Sequence, residues 1–255
     1  MSDIGEDFQA DRTRTSGDDA ALWRRFRGVA GEDAKVSALQ KLKLTGHGPD
    51  KFSLHLENLA PPDDRRGEAL MQDIWRIGQQ RLVLQPGQAP WATEMPSRHF
   101  ADRVHRFAWA PDLLGQGEAG LTRAIALTDD WVAKFGKFHG FAWRLEPTAS
   151  RCWNWLRCGP ALLEAGSDEA RTARIDSLSR QLRYIHETMG AVHDPKSRWL
   201  GAVVLVANAL CLRGGSGLGD ALERLESETT AQILPDGGHV TRSPSHLLSS
   251  LLHLQ

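Results

Sequence analysis

The chain has 255 residues, a formal net charge of −1, 41% apolar and 25% charged residues. That is ordinary globular composition, with enough chain to bury one large core or two modest ones. It excludes nucleic-acid binding through bulk basic charge, which needs clustered Lys and Arg to neutralise phosphates.

The N-terminus, Met1-Ser-Asp-Ile-Gly-Glu-Asp-Phe, has neither a basic start nor an apolar core, so it does not read as a secretory signal. Residues 1–20 are polar and mixed in charge, and a flexible tail is expected there. Residues 21–95 read as N-terminal helices and loops. Leu22, Trp23, Phe26 and Val29 mark a short amphipathic helix, and Gly46, Gly48, Pro49, Pro61 and Pro62 break the pattern. Gly67 to Gly78 looks helical, Arg81 to Leu84 reads as a short strand, and Gln85 to Trp91 as a loop.

From residue 96 to 255 the pattern is helical almost throughout. Phe100, Val104, Phe107, Ala108 and Leu114 mark one helix; Leu121, Ile125, Trp131, Val132 and Phe135 mark the next. Pro147 opens a third, carrying Trp153, Leu156 and Leu163. Ile175, Leu178, Leu182, Ile185 and Met189 have the cleanest helical spacing. Trp199 to Leu212 is apolar on nearly every side and should be central. It is still too short for a bilayer, which needs about 20 residues, so no membrane span is expected. Leu218 to Ile233 and Ser245 to Leu254 complete the set. The expected class is all-α: an α/α toroid, an incomplete barrel of antiparallel helix hairpins.

Cys152, Cys158 and Cys211 have no metal-type spacing and read as buried free thiols of a reducing compartment. The expected setting is cytoplasmic, with no cofactor and no metal. Nine Trp stand against a single Tyr, Tyr184. Indoles suit both core filling and sugar stacking.

Three segments carry candidate chemistry. In the last, Pro235 breaks a helix, Asp236-Gly237-Gly238 turns, and His239, Arg242 and His246 follow; Ser243 should cap a helix with Pro244 in its first turn. These residues serve equally as partly buried hydrogen-bonding groups. Between Arg98 and Arg106 lies a charged face, most simply a solvated one with pairs such as Asp102 with Arg106. From Phe141 to Leu156, Trp143, Arg144, Arg151, Trp153, Asn154 and Trp155 suit a groove lined for sugar. Trp153 and Trp155 cannot both face it, being two apart on a helix. Gly214 to Gly219 follows an apolar helix, not a strand, and reads as a helix–helix link.

The stretch Gln232-Ile-Leu-Pro-Asp-Gly-Gly-His-Val-Thr-Arg-Ser-Pro resembles the heparinase II/III-like proteins of the α-proteobacterial branch. Pro96–Ala101, Trp109–Leu114, Trp143–Leu156 and Arg198–Leu212 support the likeness. The resemblance covers roughly Ile74 to Leu254. It implies a toroid domain of a polysaccharide lyase that cleaves a uronate-containing acidic glycan by β-elimination. His239 or His246 would be the base and Arg242 would neutralise the uronate carboxylate. Trp143, Arg144, Arg151, Asn154 and Arg198 would bind the acidic polysaccharide.

The sequence departs from the family's pattern in three ways. Ser245-His246 stands where catalytic members carry Tyr-His, Arg198-Trp199 where they carry Asn-His, and the family's C-terminal β-sandwich is absent. The expectation is therefore the toroid part of such a lyase, facing a β-sandwich partner, with its activity as an isolated chain left open. Two alternatives stay open: a non-catalytic glycan-binding domain, and an α-helical scaffold that pairs with another protein.

Overall fold

The structure, a computed structural model, describes residues 44, 52–56, 61–212 and 216–252. The expected tail and the helix at 21–29 lie outside the described residues. The described part is all-α apart from one hairpin, as the periodicity predicts, and contains no sheet domain.

Helix α1 (Asp64–Met71) starts where the Asp63 carboxylate accepts the Arg66 N–H at 3.1 Å. It ends before Asp73, which sits in the left-handed region at φ +58°. The segment expected to continue as helix instead forms β1 (Ile74–Ile77), antiparallel to β2 (Gln80–Val83) with Trp75 opposite Leu82. Ile74 and Ile77 stand three apart, which fits a helix, but Gly78 at φ +59° supplies the tight turn a hairpin needs. The strand expected from Arg81 is β2. A single 3₁₀ turn at Pro90–Ala92 lies in the loop that follows.

The first helix expected after Pro96 is two: α2 (Arg98–His105), capped by Ser97, and α3 (Ala110–Leu114). Phe107 breaks the run at φ +60°. α4 is Gly117–Phe135 and α5 is Leu145–Leu163, with Pro147 in its first turn as expected. Gly159, at φ 58° and ψ −149°, kinks α5 just before Pro160. α6 (Asp168–Thr188) is capped by Ser167, and α7 (Pro195–Cys211) by Asp194. α8 is Leu218–Gln232 and α9 is Pro244–Leu252.

As its composition predicts, α7 is central: it packs against α5, α6 and α8, and α9 touches it. The aromatic heart of the core comes from earlier parts of the chain, the α2–α3 junction, α4 and α5. Phe107 is fully buried and meets Trp131 and Trp155 edge-on, with centroids 5.6 and 5.3 Å away. Phe107 can reach both rings because the chain turns at that residue. The hairpin joins the same core through Trp75, which meets Trp109 at 5.3 Å.

Candidate functional site

The turn after α8 is built by local hydrogen bonds. Asp236 Oδ1 accepts from Gly238 N at 2.9 Å, and Leu234 N donates to Gly238 O at 2.8 Å. Gly237 takes φ +78°. Ile233 and His239 then form a single antiparallel bridge, with Val240 N donating to Gln232 O at 2.7 Å. His239 is thereby folded back onto the end of α8 rather than left at the surface; only 3% of it is exposed.

Both ring nitrogens of His239 are engaged. The Thr241 backbone N–H donates to Nδ1 at 3.1 Å, so Nε2 carries the proton and donates to Gln232 Oε1 at 3.3 Å. Burial, with His246 beside it, lowers the His239 pKa and so favours the neutral ring. The Thr241 hydroxyl stands between the two imidazoles, 2.8 Å from His239 Nδ1 and 3.1 Å from His246 Nδ1.

The chain of contacts continues inward. Gln232 Nε2 donates to Glu228 Oε2 at 2.8 Å and to Pro195 O at 2.9 Å. Glu228 Oε1 accepts from Arg198 Nε at 2.8 Å and from Nη2 at 2.5 Å. Arg198, Glu228, Gln232, His239, Thr241 and His246 are therefore one polar string that ties α7, α8, the turn and α9. Three of its members, Arg198, His239 and His246, are among the sequence-predicted site residues. Glu228, Gln232 and Thr241 were missed; for the first two, a spacing of four on a buried face of α8 is the signal that could have found them.

Arg242 is not in the string. It lies at φ +53°, mostly exposed, and pairs with Asp236 Oδ2 at 2.5 Å. That contact, with the Gly238 N–H, holds the Asp236 carboxyl below its usual range. Ser243 Oγ accepts from His246 N at 3.4 Å, the expected cap of α9.

The other predicted residues gather elsewhere. Trp143 is fully buried, donates Nε1–H to Phe135 O at 2.7 Å and packs against Tyr184. Of the pair two apart, Trp155 is in the core and Trp153 only partly buried. Arg151 is fully buried without a carboxylate partner. It donates to Gln181 Oε1 at 2.6 Å, His105 O at 2.8 Å and Ala142 O at 3.0 Å, and lies over the Trp131 ring at 4.2 Å. Burial pulls its pKa down to about 9. Asn154 donates to the carbonyls of Ser150 and Arg106. These contacts turn Trp143, Arg151 and Asn154 inward, so the expected sugar groove does not form around them. Buried polar side chains are used here to satisfy backbone carbonyls where the helices break.

Arg144 pairs with Asp102, whose other oxygen takes Arg106 at 2.5 Å. Arg106 also grips Glu146, which in turn takes Lys196 from α7 at 2.9 Å. The Asp102–Arg106 pair was expected on a solvated face, but Asp102 is buried. The first turn of α7 is thus a hub: Pro195 and Arg198 join it to the turn network, Lys196 to the Asp102–Glu146 cluster. Among the described residues no group of His, Cys, Asp and Glu is placed to hold a metal ion, and no helix is long and apolar enough to cross a membrane.

Over 242 residues the chain is 33% identical to FtsZ-localized protein C of Caulobacter vibrioides (strain NA1000 / CB15N). The alignment takes in 91% of this chain and 42% of that protein, so the chain spans less than half the length of this relative. No protein-family model and no solved structure matches. This relative overturns the expected kinship with heparinase II/III-like lyases. With that kinship go the β-elimination of a uronate glycan, the acidic polysaccharide as partner, and the base and carboxylate-binding roles inferred for His239, His246 and Arg242. The Asp-Gly-Gly-His turn behind the likeness is accounted for by local geometry: it is a hairpin turn that seats an imidazole on a helix end.

Proposed function

We propose that the chain is a cytoplasmic helical accessory of bacterial cell division that acts by binding, with FtsZ or an FtsZ-bound protein as its partner. One observation carries this: nearly the whole chain aligns with FtsZ-localized protein C at 33% identity. The structure adds support of a second kind. Apart from Arg242, the predicted polar residues are spent on joining parts of the fold, while apolar side chains that a partner would cover stand outside. Leu248, Leu251 and Leu252 on α9 are each more than half exposed, and Val240 lies in the turn before them at 43%.

The test is co-sedimentation of the purified chain with FtsZ from its own genome, assembled with GTP. The chain is expected in the pellet with GTP and in the supernatant with GDP. A fluorescent fusion should also gather where FtsZ gathers in the cell. A chain that stays in the supernatant under both nucleotides, and diffuse in cells with intact FtsZ assemblies, rules the reading out.

A further inference from the structure

Away from the turn network, a cleft of about 160 Å³ opens between α1, the β1–β2 hairpin and the α2–α3 junction. Its floor is apolar: Leu70, Trp75 and Trp109 are 3, 3 and 4% exposed. Its rim carries Arg66, Arg76 and Arg103. Three cations around one cleft are notable in a chain of net charge −1.

The three arginines differ. Arg66 is committed, with Nε 2.5 Å from Asp112 and Nη2 donating to the Ala108 carbonyl. Arg76 and Arg103 are both exposed and have neither an ion pair nor a side-chain hydrogen bond among the described residues. Burial, and then the neighbouring Arg106, lower the Arg103 pKa; Asp102 and Glu146 act the other way, but their oxygens are held by Arg106, Arg144 and Lys196. A second observation comes from the floor. Among the described residues three buried indole N–H groups lack an acceptor, those of Trp75, Trp155 and Trp199, and of these only Trp75 lines the cleft. A buried donor left unmade is costly, and a ligand oxygen would relieve it.

We propose that this cleft binds an acidic segment of a partner polypeptide. A carboxylate lies between Arg76 and Arg103, whose planar forks match it, a carbonyl oxygen of the same segment accepts from Trp75 Nε1–H, and an adjacent large apolar side chain covers Leu70 and Trp109. Two features favour a peptide over other anions. A free phosphate leaves the apolar floor uncovered. A flat anionic membrane meets the rim but cannot reach indoles that are more than nine-tenths buried, which only an entering side chain does. The site does not depend on the division-linked reading.

The full chain is immobilised and challenged with a display library of random heptapeptides, in parallel with the R76Q/R103Q double variant. Both side chains are exposed, so the variant should keep the wild-type melting temperature. The expected selection is peptides with Asp or Glu within two positions of Leu, Phe or Trp, binding the variant about tenfold or more weakly. They should lose affinity when Gln replaces Glu. On the unaltered chain such a peptide should move the Trp75 Nε1–H resonance, assigned by its loss in W75F. The proposal is overturned by a selection that yields no binders, binders without carboxylates, or binders indifferent to the double variant. It also fails if inorganic phosphate moves the Trp75 resonance as far as the peptide does at equal concentration. Phosphatidylglycerol vesicles binding through Arg76 and Arg103 where peptides do not would transfer the cleft to a membrane role and refute it equally.

Discussion

Arg198 on α7 places two donors on a single carboxylate oxygen of Glu228 on α8, Nε at 2.8 Å and Nη2 at 2.5 Å. The other oxygen of Glu228 is taken by Gln232, which in turn orients His239. Removing that carboxylate leaves the Arg198 donors without their acceptor and Gln232 Nε2 with Pro195 O alone. Glu228→Ala should lower stability by about 1–3 kcal/mol, the cost of orphaned buried partners. Glu228→Gln, which keeps an acceptor for Arg198, should cost less. Urea midpoints at constant slope decide this, and an E228A midpoint equal to wild type would show the string to be incidental.

Acid should destabilise the fold through two histidines. Burial, with Arg151 next in effect, holds the His105 pKa well below 6.5; burial, with His246, lowers that of His239. Each therefore takes up a proton less readily folded than unfolded. Their contribution is full above the unfolded pKa and is lost as pH falls through it, since the unfolded chain then binds protons that the folded chain refuses. The urea midpoint should be flat near neutrality and fall as pH drops below about 6.5. His105→Asn keeps an acceptor for Trp131 Nε1–H, which the histidine Nδ1 receives at 2.9 Å, but cannot titrate. Its midpoint should fall less steeply than that of the wild type.

Trp143 and Arg151 distinguish a core from a groove. A sugar platform can be cut back with little effect on folding. Trp143→Ala should instead cost about 3–5 kcal/mol, as large buried aromatics do. Arg151→Ala should cost about as much, because it leaves the carbonyls of His105 and Ala142 and the Gln181 amide oxygen without their donor. Calorimetric melting of both variants checks this, and near-wild-type melting of either would contradict its place in the core.

Gly159 should resist substitution. Its backbone, at φ 58° and ψ −149°, is one that side chains rarely adopt, although nothing but His55 Nδ1, 3.9 Å away, would meet an added methyl. Gly159→Ala should cost about 1–3 kcal/mol from backbone strain alone. The same substitution at Gly190, which has open space and no unusual φ, is the control and should be near neutral.

Hydrophobic spacing made the long helices legible: Ile175, Leu178, Leu182 and Ile185 all face inward on α6. It failed where one pattern serves two structures. Ile74 and Ile77 fit a helix period, and only the left-handed Asp73 and Gly78 make the segment a strand and turn. The apolar run through Phe107 likewise hides a chain reversal. The site was harder to read for a different reason. Indoles beside arginines look alike in sequence whether they enclose a ligand or each other. The partner that defines Arg198, Glu228, lies 30 positions away on another helix, where no spacing rule reaches.

The donors of Arg151 end on Gln181 of α6 and on carbonyls at His105 and Ala142, residues from three separate stretches of chain. None of these stretches can lift from α5 without uncovering the same guanidinium. The guanidinium thus works as a keystone: the middle of the molecule has one opening event rather than several. Its slowest-exchanging amides, on α2, α5 and α6, should exchange together, with a single protection energy close to that of global unfolding.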